Sequence, residues 1–177
     1  MSVKDTIKHI LNVQEKINDF IIRLEARGKF HDESKLLDPE VAIFEKFTPL
    51  LAKSTYGSDE YKQFLIEMKP ALDHHYANNR HHPEHFKYWE CNGCFKRFRP
   101  EPMVCNVCGY SQFTERPDIS EMTLIDLVEM FCDWKAAVER HNNGDILKSI
   151  EINSKRFEIS DQLKQILINT ANEVKNE

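Results

Sequence analysis

Long apolar runs, an excess of positive charge and low-complexity tracts are all missing from this 177-residue sequence. No apolar run approaches the roughly 20 residues that a membrane-spanning helix needs, so we expect no membrane association. The net charge of −5 provides no general field that would attract nucleic acid or acidic lipid. The first six residues lack the charged and then apolar regions of a signal peptide, and we therefore expect a cytoplasmic protein.

The length fits one domain with a small insertion, and a hydrophobic fraction of 41% is enough for a core. Helical periodicity over residues 2–27 places one apolar stripe at Val3, Ile7, Ile10, Ile17, Ile21 and Leu24. Further helices are predicted over about 38–53, 58–75, 120–140, 145–156 and 160–174. Residues 87–117 lack this period. We predict an all-α helical bundle from residues 1–86 and 118–177, with 87–117 inserted as a zinc ribbon.

Four of the five cysteines occur as two pairs, each with two residues between its members: Cys91, Cys94, Cys105 and Cys108. Two such turns present four thiolates, which is the donor set of a structural tetrahedral zinc site. A redox dithiol is the minor alternative. The remaining Cys132 lies in an apolar helical stretch, and its simplest interpretation is a small buried hydrophobic residue.

The segment Phe95-Lys96-Arg97-Phe98-Arg99 alternates aromatic and basic residues, a pattern that is found at nucleic-acid contacts. A small ribbon also needs aromatic side chains for its own packing. We favour a structural staple or a lid on the substrate side, with nucleic acid as an alternative partner of the ribbon.

Histidine is concentrated in two short stretches, residues 31–35 and 74–85, which hold six of the eight histidines. Histidine is the commonest neutral metal ligand, and the adjacent pair His31-Asp32 offers one imidazole and one carboxylate. Such a mixed nitrogen and oxygen set suits a divalent ion that activates water. These stretches predict a metal-dependent hydrolase site.

Three carboxylates share one face of the helix predicted over 121–140. Asp126, Glu129 and Asp133 are spaced i, i+3 and i+7, which places them within roughly 60° of one another. Carboxylates beside apolar neighbours repel one another unless a cation or hydrogen-bond donors compensate them. A solvated acidic face is the alternative, and the histidine-rich stretches favour a role in metal binding.

The ordered set of His31-Asp32, the later histidines and a late aspartate on a helix resembles the HD-domain superfamily of metal-dependent phosphohydrolases. The segment 31–35 is similar to the His-Asp-x-Gly-Lys form of many members, with Ser34 in place of the glycine. The run His81-His82-Pro83-Glu84-His85, with the segment 124–134, resembles more closely an uncharacterised bacterial and phage family of HD-like proteins. The resemblance covers residues 5–86 and 120–170 and implies an HD-domain-like bundle.

This resemblance implies a metal site whose members are His31, Asp32, His75, His81, His82 and Asp126, with Asp133 as the rival late aspartate and His9 as an early histidine. Asp32 would bridge two metals when two are present. Lys35 and Arg80 would bind a phosphate oxygen, and Glu84 or Glu129 would handle protons or orient ligands. The choice among His74, His75, His81, His82 and His85 remains open.

The function that follows is hydrolysis of a nucleotide or another small phosphoester by one or two divalent ions, for which Mn, Fe, Co, Ni and Zn are candidates. The main alternative is a non-enzymatic zinc-ribbon protein that binds nucleic acid or a protein partner. A metal-dependent oxygenase with an iron pair is a third hypothesis. The substrate and the oligomeric state are not readable from the sequence.

Overall fold

The structure is a computed structural model that describes residues 2–55, 58–140 and 144–174. Its helices are α1 (Val3–Lys29), α2 (Val41–Lys53), α3 (Asp59–Glu67), α4 (Lys69–Asn78), α5 (Leu124–Glu139), α6 (Ile146–Arg156) and α7 (Asp161–Val174). Its strands are β1 (Tyr88–Cys91), β2 (Arg97–Phe98) and β3 (Phe113–Arg116), which lie between α4 and α5. Across the described ranges, no helix combines the length and the apolar character needed to cross a membrane.

Polar side chains at the first turns fix where several helices begin. Ser2 and Asp5 form a reciprocal capping box at α1, and Thr123 and Asp126 form another at α5. Ser58 accepts the first-turn hydrogen bond of α3. The prediction of a single helix over 58–75 is wrong in one respect. The chain breaks at Met68 into α3 and α4, and Pro70 occupies the first turn of α4.

The main hydrophobic core lies between α5, α6 and α7. It is built from fully or nearly buried side chains that include Met130, Phe131, Trp134, Ile150, Phe157, Leu167 and Ala171. A second buried set, Phe47, Met68 and Ala71, lies where α2, α3 and α4 meet. The predominantly helical character predicted from the apolar periodicity is therefore confirmed.

The three strands form one antiparallel sheet with β1 at its centre, and this sheet lies inside the segment predicted as a ribbon. The chain is thus mostly helical rather than purely α. Arg99 of the ribbon donates to the backbone carbonyl of Phe86 and pairs with Asp118 and Glu121. These contacts hold the sheet against the helical part of the chain at both of its ends.

Helix α1 extends away from the rest of the chain. Every residue from 2 to 23 is exposed, and only Leu24 and Arg27 near the last turn are half-buried. Arg27 joins this end of the helix to α5, and Phe20 and Arg23 line a cavity together with the start of α5. The apolar stripe predicted on α1 is therefore real as a pattern, but the described chain does not cover it.

Candidate metal centre

Four separate segments bring the candidate ligands together. His31 and Asp32 follow α1 in a tight turn, where Asp32 adopts the left-handed conformation with φ of 55°. Aspartate tolerates this conformation better than most residues because its short side chain can hydrogen-bond locally. His75 comes from the end of α4, His81 and His82 from the following loop, and Asp133 from α5.

The first group of donor atoms consists of Asp32 Oδ1 and the Nε2 atoms of His75, His81 and His82. Asp32 Oδ1 lies 3.2 Å from His75 Nε2 and 3.4 Å from His81 Nε2, and the Nε2 atoms of His75 and His82 are 2.8 Å apart. Two ligands of one ion with bonds of about 2.1 Å at octahedral or tetrahedral angles lie roughly 3.0–3.4 Å apart. Two of these distances fall in that range and the third is slightly shorter, so the four atoms are close enough together to bind a single ion.

The second group shares Asp32 with the first. His31 Nε2 lies 3.5 Å from Asp32 Oδ2 and 3.6 Å from Asp133 Oδ1. Since Asp32 offers Oδ1 to one group and Oδ2 to the other, its carboxylate can bridge two ions. The structure thus brings together six of the residues for which a ligand role was predicted: His31, Asp32, His75, His81, His82 and Asp133.

Two buried atoms at this centre lack the partner that a buried polar atom requires. Within the described residues, Asp32 Oδ1 and His81 Nε2 have no hydrogen-bond partner. Leaving such an atom unsatisfied costs about 1–3 kcal/mol. A cation between these two atoms would satisfy both, so the residues present fit a bound metal ion.

Two buried carboxylates orient the imidazoles by contacting their Nδ1 atoms. Glu129 Oε1 lies 3.0 Å from His31 Nδ1 and 3.1 Å from His81 Nδ1. Glu40 lies 2.9 Å from His75 Nδ1 and 2.7 Å from His74 Nδ1. A carboxylate that accepts the Nδ1 proton leaves the Nε2 lone pair free to bind a metal.

The sequence interpretation missed Glu40 and Arg27. Glu40 is fully buried and was expected only to extend the start of a helix at Asp38-Pro39, whereas α2 begins at Val41. Arg27 contacts Glu129 at 2.5 Å and Asp126 at 2.9 Å and supplies the cation that these acidic side chains need. No local motif marks either residue, because each acts through a partner that is distant in the chain.

Ser34, which replaces the glycine of the HD form, has a specific place in this network. Its hydroxyl donates to Glu40 Oε2 at 3.1 Å and lies 3.2 Å from His75 Nδ1. Asn79 donates to the same hydroxyl at 2.9 Å. Ser34 therefore helps Glu40 to hold the His75 ring in place.

The charges at the centre differ between its histidines. Burial and the neighbouring charges of His81 and His75 lower the pKa of His82 to about 3, so this imidazole is neutral. Hydrogen bonds to Asp133 and Glu129 raise the pKa of His31 to about 10 against the opposing effect of burial. His31 must release a proton before its Nε2 atom can bind a cation, so metal binding to the second group becomes more favourable as pH rises.

The two carboxylates at the heart of the centre remain ionised. Burial opposes the ionisation of Asp32, but the nearby imidazoles of His75 and His81 and the hydrogen-bonded Lys35 ammonium outweigh it and hold its pKa well below the usual range. Glu129 also stays ionised. Burial acts to raise its pKa, but its contacts with His31, His81 and Arg27 outweigh burial and lower the pKa.

Asp126 does not join the donor atoms, whereas Asp133, the rival late aspartate, does. Asp126 is buried, with its oxygens engaged by Thr123, Arg27 and Arg80. Its carboxylate therefore caps α5 and pairs with two guanidinium groups. Asp133 lies two turns further along the same face of α5 and reaches His31.

His9 is also removed from the ligand set. It is exposed on α1, 18 residues before Arg27, which is the residue of that helix that reaches the centre. A rise of 1.5 Å per residue separates these two positions by about 27 Å along the helix axis. No side-chain movement spans that distance.

The remaining predicted residues divide between the centre and its surroundings. Lys35 is at the centre, with its ammonium 2.6 Å from Asp32 Oδ2. Glu84 lies elsewhere, paired with Arg156 at 2.6 Å, and burial raises its pKa. Arg80 stacks over the Phe86 ring and pairs with Asp126. Proton handling by Glu84 and direct phosphate binding by Arg80 therefore have no support in this geometry.

A cavity of about 280 Å³ opens beside the second donor group, between the end of α1 and α5. His31, Glu129 and Asp133 form its polar wall, and the rest of its lining is mostly apolar: Leu24, Gly28, Val128, Cys132 and Ala136, with Arg27. Cys132 is exposed on this wall, so its interpretation as a buried hydrophobic residue is wrong.

The four paired cysteines form a second possible metal site. Their sulfur atoms lie close together, with Cys91 Sγ 3.6 Å from Cys108 Sγ and Cys94 Sγ 3.6 Å from Cys105 Sγ. Four ligands at a Zn–S distance of about 2.3 Å in a tetrahedron are roughly 3.8 Å apart. All four thiols are free of disulfides. The cluster is thus able to bind a metal ion, as the spacing predicts.

We expect Glu40→Gln to weaken metal binding by about 10–100-fold, because the amide cannot hold the Nδ1 protons of His74 and His75 as a carboxylate does. Competition with a chromophoric chelator would measure the change. Glu45→Gln, on an exposed position of the same helix, is the matched control and should leave metal affinity unchanged. Equal affinities for the two variants would contradict a role for Glu40 in ligand orientation.

Residues 2–173, including the cysteine segment, match a protein family that is described as a family of unknown function (DUF5662). Comparison with the curated proteins gave no match. Comparison with the solved structures also gave none.

Proposed function

The chain belongs to DUF5662, a family of unknown function, and we propose that it is a metal-dependent hydrolase of small phosphoesters. The observation that carries this proposal is the carboxylate of Asp32, which offers one oxygen to each of two converging donor groups. The resemblance of the His31-Asp32 pair and its later histidines to HD-domain phosphohydrolases agrees with it.

The donor set favours a transition metal over Mg²⁺ or Ca²⁺. Four imidazoles and two carboxylates surround the centre, whereas Mg²⁺ and Ca²⁺ prefer oxygen ligands. Mn, Fe, Co, Ni and Zn remain candidates. When bound, such ions would lower the pKa of a water molecule and neutralise charge on phosphate oxygens.

The protein's own residues supply the remaining functions. Lys35 stands at the half-exposed edge of the centre, where its ammonium can meet a phosphate oxygen. Glu129 keeps protons on the Nδ1 atoms of His31 and His81, which fixes their ring orientation. Arg27 holds Glu129 in place from α1 and lines the cavity.

The cavity beside His31 and Asp133 suits the organic part of a small substrate. Its volume of about 280 Å³ is close to the lower limit of about 300 Å³ for ligand pockets, and its lining is largely apolar. A phosphate held at the metal centre would place its ester group at the mouth of this cavity. A nucleotide with its base in the cavity is the substrate class that we favour.

For the ribbon we propose a structural zinc at the four cysteines. Two of the three basic side chains that suggested nucleic-acid binding have partners within the chain: Arg99 contacts Asp118 and Glu121, and Arg97 stacks over the Tyr88 ring near Asp118. These pairings favour a role as a staple for the helical part over a role in binding nucleic acid.

A protein-binding ribbon is the second candidate function. Apolar side chains are exposed around the cysteine turns, with Met103 at 93% and Phe95 at 70% exposure. A cluster of this kind suits a protein partner better than a phosphate backbone. This function does not depend on the histidine centre, so an assay for metal-dependent hydrolysis would distinguish it from the hydrolase.

The proposal is tested with p-nitrophenyl phosphate, bis-p-nitrophenyl phosphate and a panel of nucleotides. Chelated protein reconstituted with each of the five metals should hydrolyse at least one phosphoester and should bind more metal than the cysteines require. His82→Ala should lose both the excess metal and the activity. His85→Ala should lose neither, because its Nδ1 contacts the Tyr76 carbonyl away from the donor groups.

Two outcomes would overturn the proposal. One is a protein that binds only the cysteine metal and hydrolyses none of these esters. The other is oxygen consumption with ferrous iron in the absence of hydrolysis, which would instead identify the oxygenase of the third hypothesis.

A further inference from the structure

We propose that α1 pairs with α1 of a second copy of this chain as an antiparallel coiled coil. The pairing runs along one face of α1, from Val3 to the last turns of the helix, where Arg27 on another face contacts α5. None of the donor groups takes part in the pairing, and only Leu24 and Gly28 at the end of the paired face also line the cavity beside His31.

Six apolar residues of α1 follow a regular heptad spacing, and Gln14 and Gly28 occupy the two remaining positions. The alternating steps of four and three residues run through Val3, Ile7, Ile10, Gln14, Ile17, Ile21, Leu24 and Gly28. A repeat of 3.5 residues keeps one seam facing a partner helix along its whole length. A helix that merely packs on a globular core shows a less strict pattern.

This seam has no cover within the described chain. The large apolar side chains between Val3 and Ile22 are between 42% and 79% exposed. Residues 2–23 span about 32 Å of helix at 1.5 Å per residue. An apolar strip of that length on a helix that protrudes into water needs a partner to be stable.

A second copy in antiparallel orientation matches the seam along its full length. Ile7 would face Leu24 of the second copy, and Ile10 would face Ile21 of the second copy. The central Gln14 would lie beside Ile17 and Asn18 of the second copy, where the Asn18 side chain offers its amide a polar partner. Beside the seam, Val13 would meet Phe20 of the second copy, so that the exposed aromatic ring is also covered.

Charge favours the same orientation. The alignment places Lys4 opposite Glu25 of the second copy, and the symmetry repeats this pair at the other end. Among the described residues, neither side chain has an ion-pair partner within its own chain. A parallel arrangement would leave the two groups about 31 Å apart along the axis.

The area is sufficient for a stable pair. Eight side chains on and beside the seam are exposed, and each can bury on the order of 60–100 Å² of apolar surface. The pair would then bury about 1,200 Å² in total, which exceeds the ~1,000 Å² expected of a specific interface.

The first test compares two isoleucine-to-aspartate variants of the full chain by light scattering coupled to size exclusion. The wild type should have the mass of a dimer at micromolar concentration. Ile10→Asp, on the seam, should weaken the dimer at least about 100-fold because it buries an unpaired charge at two symmetric places. Ile22→Asp, on an exposed position off the seam, should remain dimeric.

The second test fixes the orientation by exchange of charge. Lys4→Glu and Glu25→Lys should each weaken the dimer several-fold, and the double variant should restore it, because only antiparallel helices bring these positions together. A monomeric wild type would overturn the proposal, including one that instead sediments with anionic lipid vesicles. A dimer that tolerates Ile10→Asp, or a double variant that fails to restore association, would also overturn it.

Discussion

Asp32→Asn is expected to abolish metal binding at the histidine centre and to lower hydrolysis by about 10³-fold or more, equivalent to roughly 4 kcal/mol of barrier. Asn carries one neutral oxygen in place of two charged ones, so it cannot bridge the two donor groups. It also tolerates the left-handed conformation at this position, where φ is 55°, so the turn should keep its shape. Metal counting and kinetics on the same preparations would measure both effects.

The matched control is Asp73→Asn. Asp73 is an exposed carboxylate on α4, one residue before His74, and it pairs with Lys69 at the surface. Its replacement should leave metal content and activity unchanged. An Asp32→Asn protein with the wild-type metal content would show that Asp32 is not the bridge between the two groups.

Cys91→Ser is expected to remove one bound metal ion per chain and to unfold the ribbon. The Cys91 thiol is fully buried, and a serine hydroxyl is a poor substitute for a thiolate ligand. Binding of a structural zinc supplies about 10–16 kcal/mol in small zinc modules, which exceeds what a short three-stranded sheet can gain from its own packing. Limited proteolysis with mass spectrometry should therefore find cleavage between β1 and β3.

The helical part should tolerate this change. Its main core lies between α5, α6 and α7 and receives no side chain from the ribbon, so most of the far-ultraviolet dichroism should remain. Cys132→Ser is the control, since Cys132 is exposed on α5 and stands apart from the cysteine cluster. If Cys91→Ser keeps the full metal content, the four cysteines do not hold a metal.

The periodic and spaced features of this chain could be predicted from the sequence. The apolar repeat of α1, the capping serine of α3 and the spacing of the cysteine pairs each depend on neighbours within a few residues. The His31-Asp32 pair also lies at the centre, because two consecutive residues cannot be separated by the fold. Local rules are sufficient for features of this kind.

Choices that depend on distant parts of the chain could not be made in this way. Asp126 and Asp133 share one face of α5, and the helical period cannot decide which of them reaches the histidines. Arg27, which lies 99 residues before Asp126, makes the difference, because its guanidinium pairs with the Asp126 carboxylate. Glu40 is hidden for the same reason, since its partners His74 and His75 come from another helix.

The single oxygen atom by which Glu129 contacts both His31 and His81 has one further consequence. These histidines belong to different donor groups, so a change in the ring position or protonation of one alters the environment of the other. Occupation of the two groups should then be coupled, so that binding of the first ion changes the affinity for the second. The average metal content of a preparation short of metal would then not reveal how the ions are distributed between the two groups.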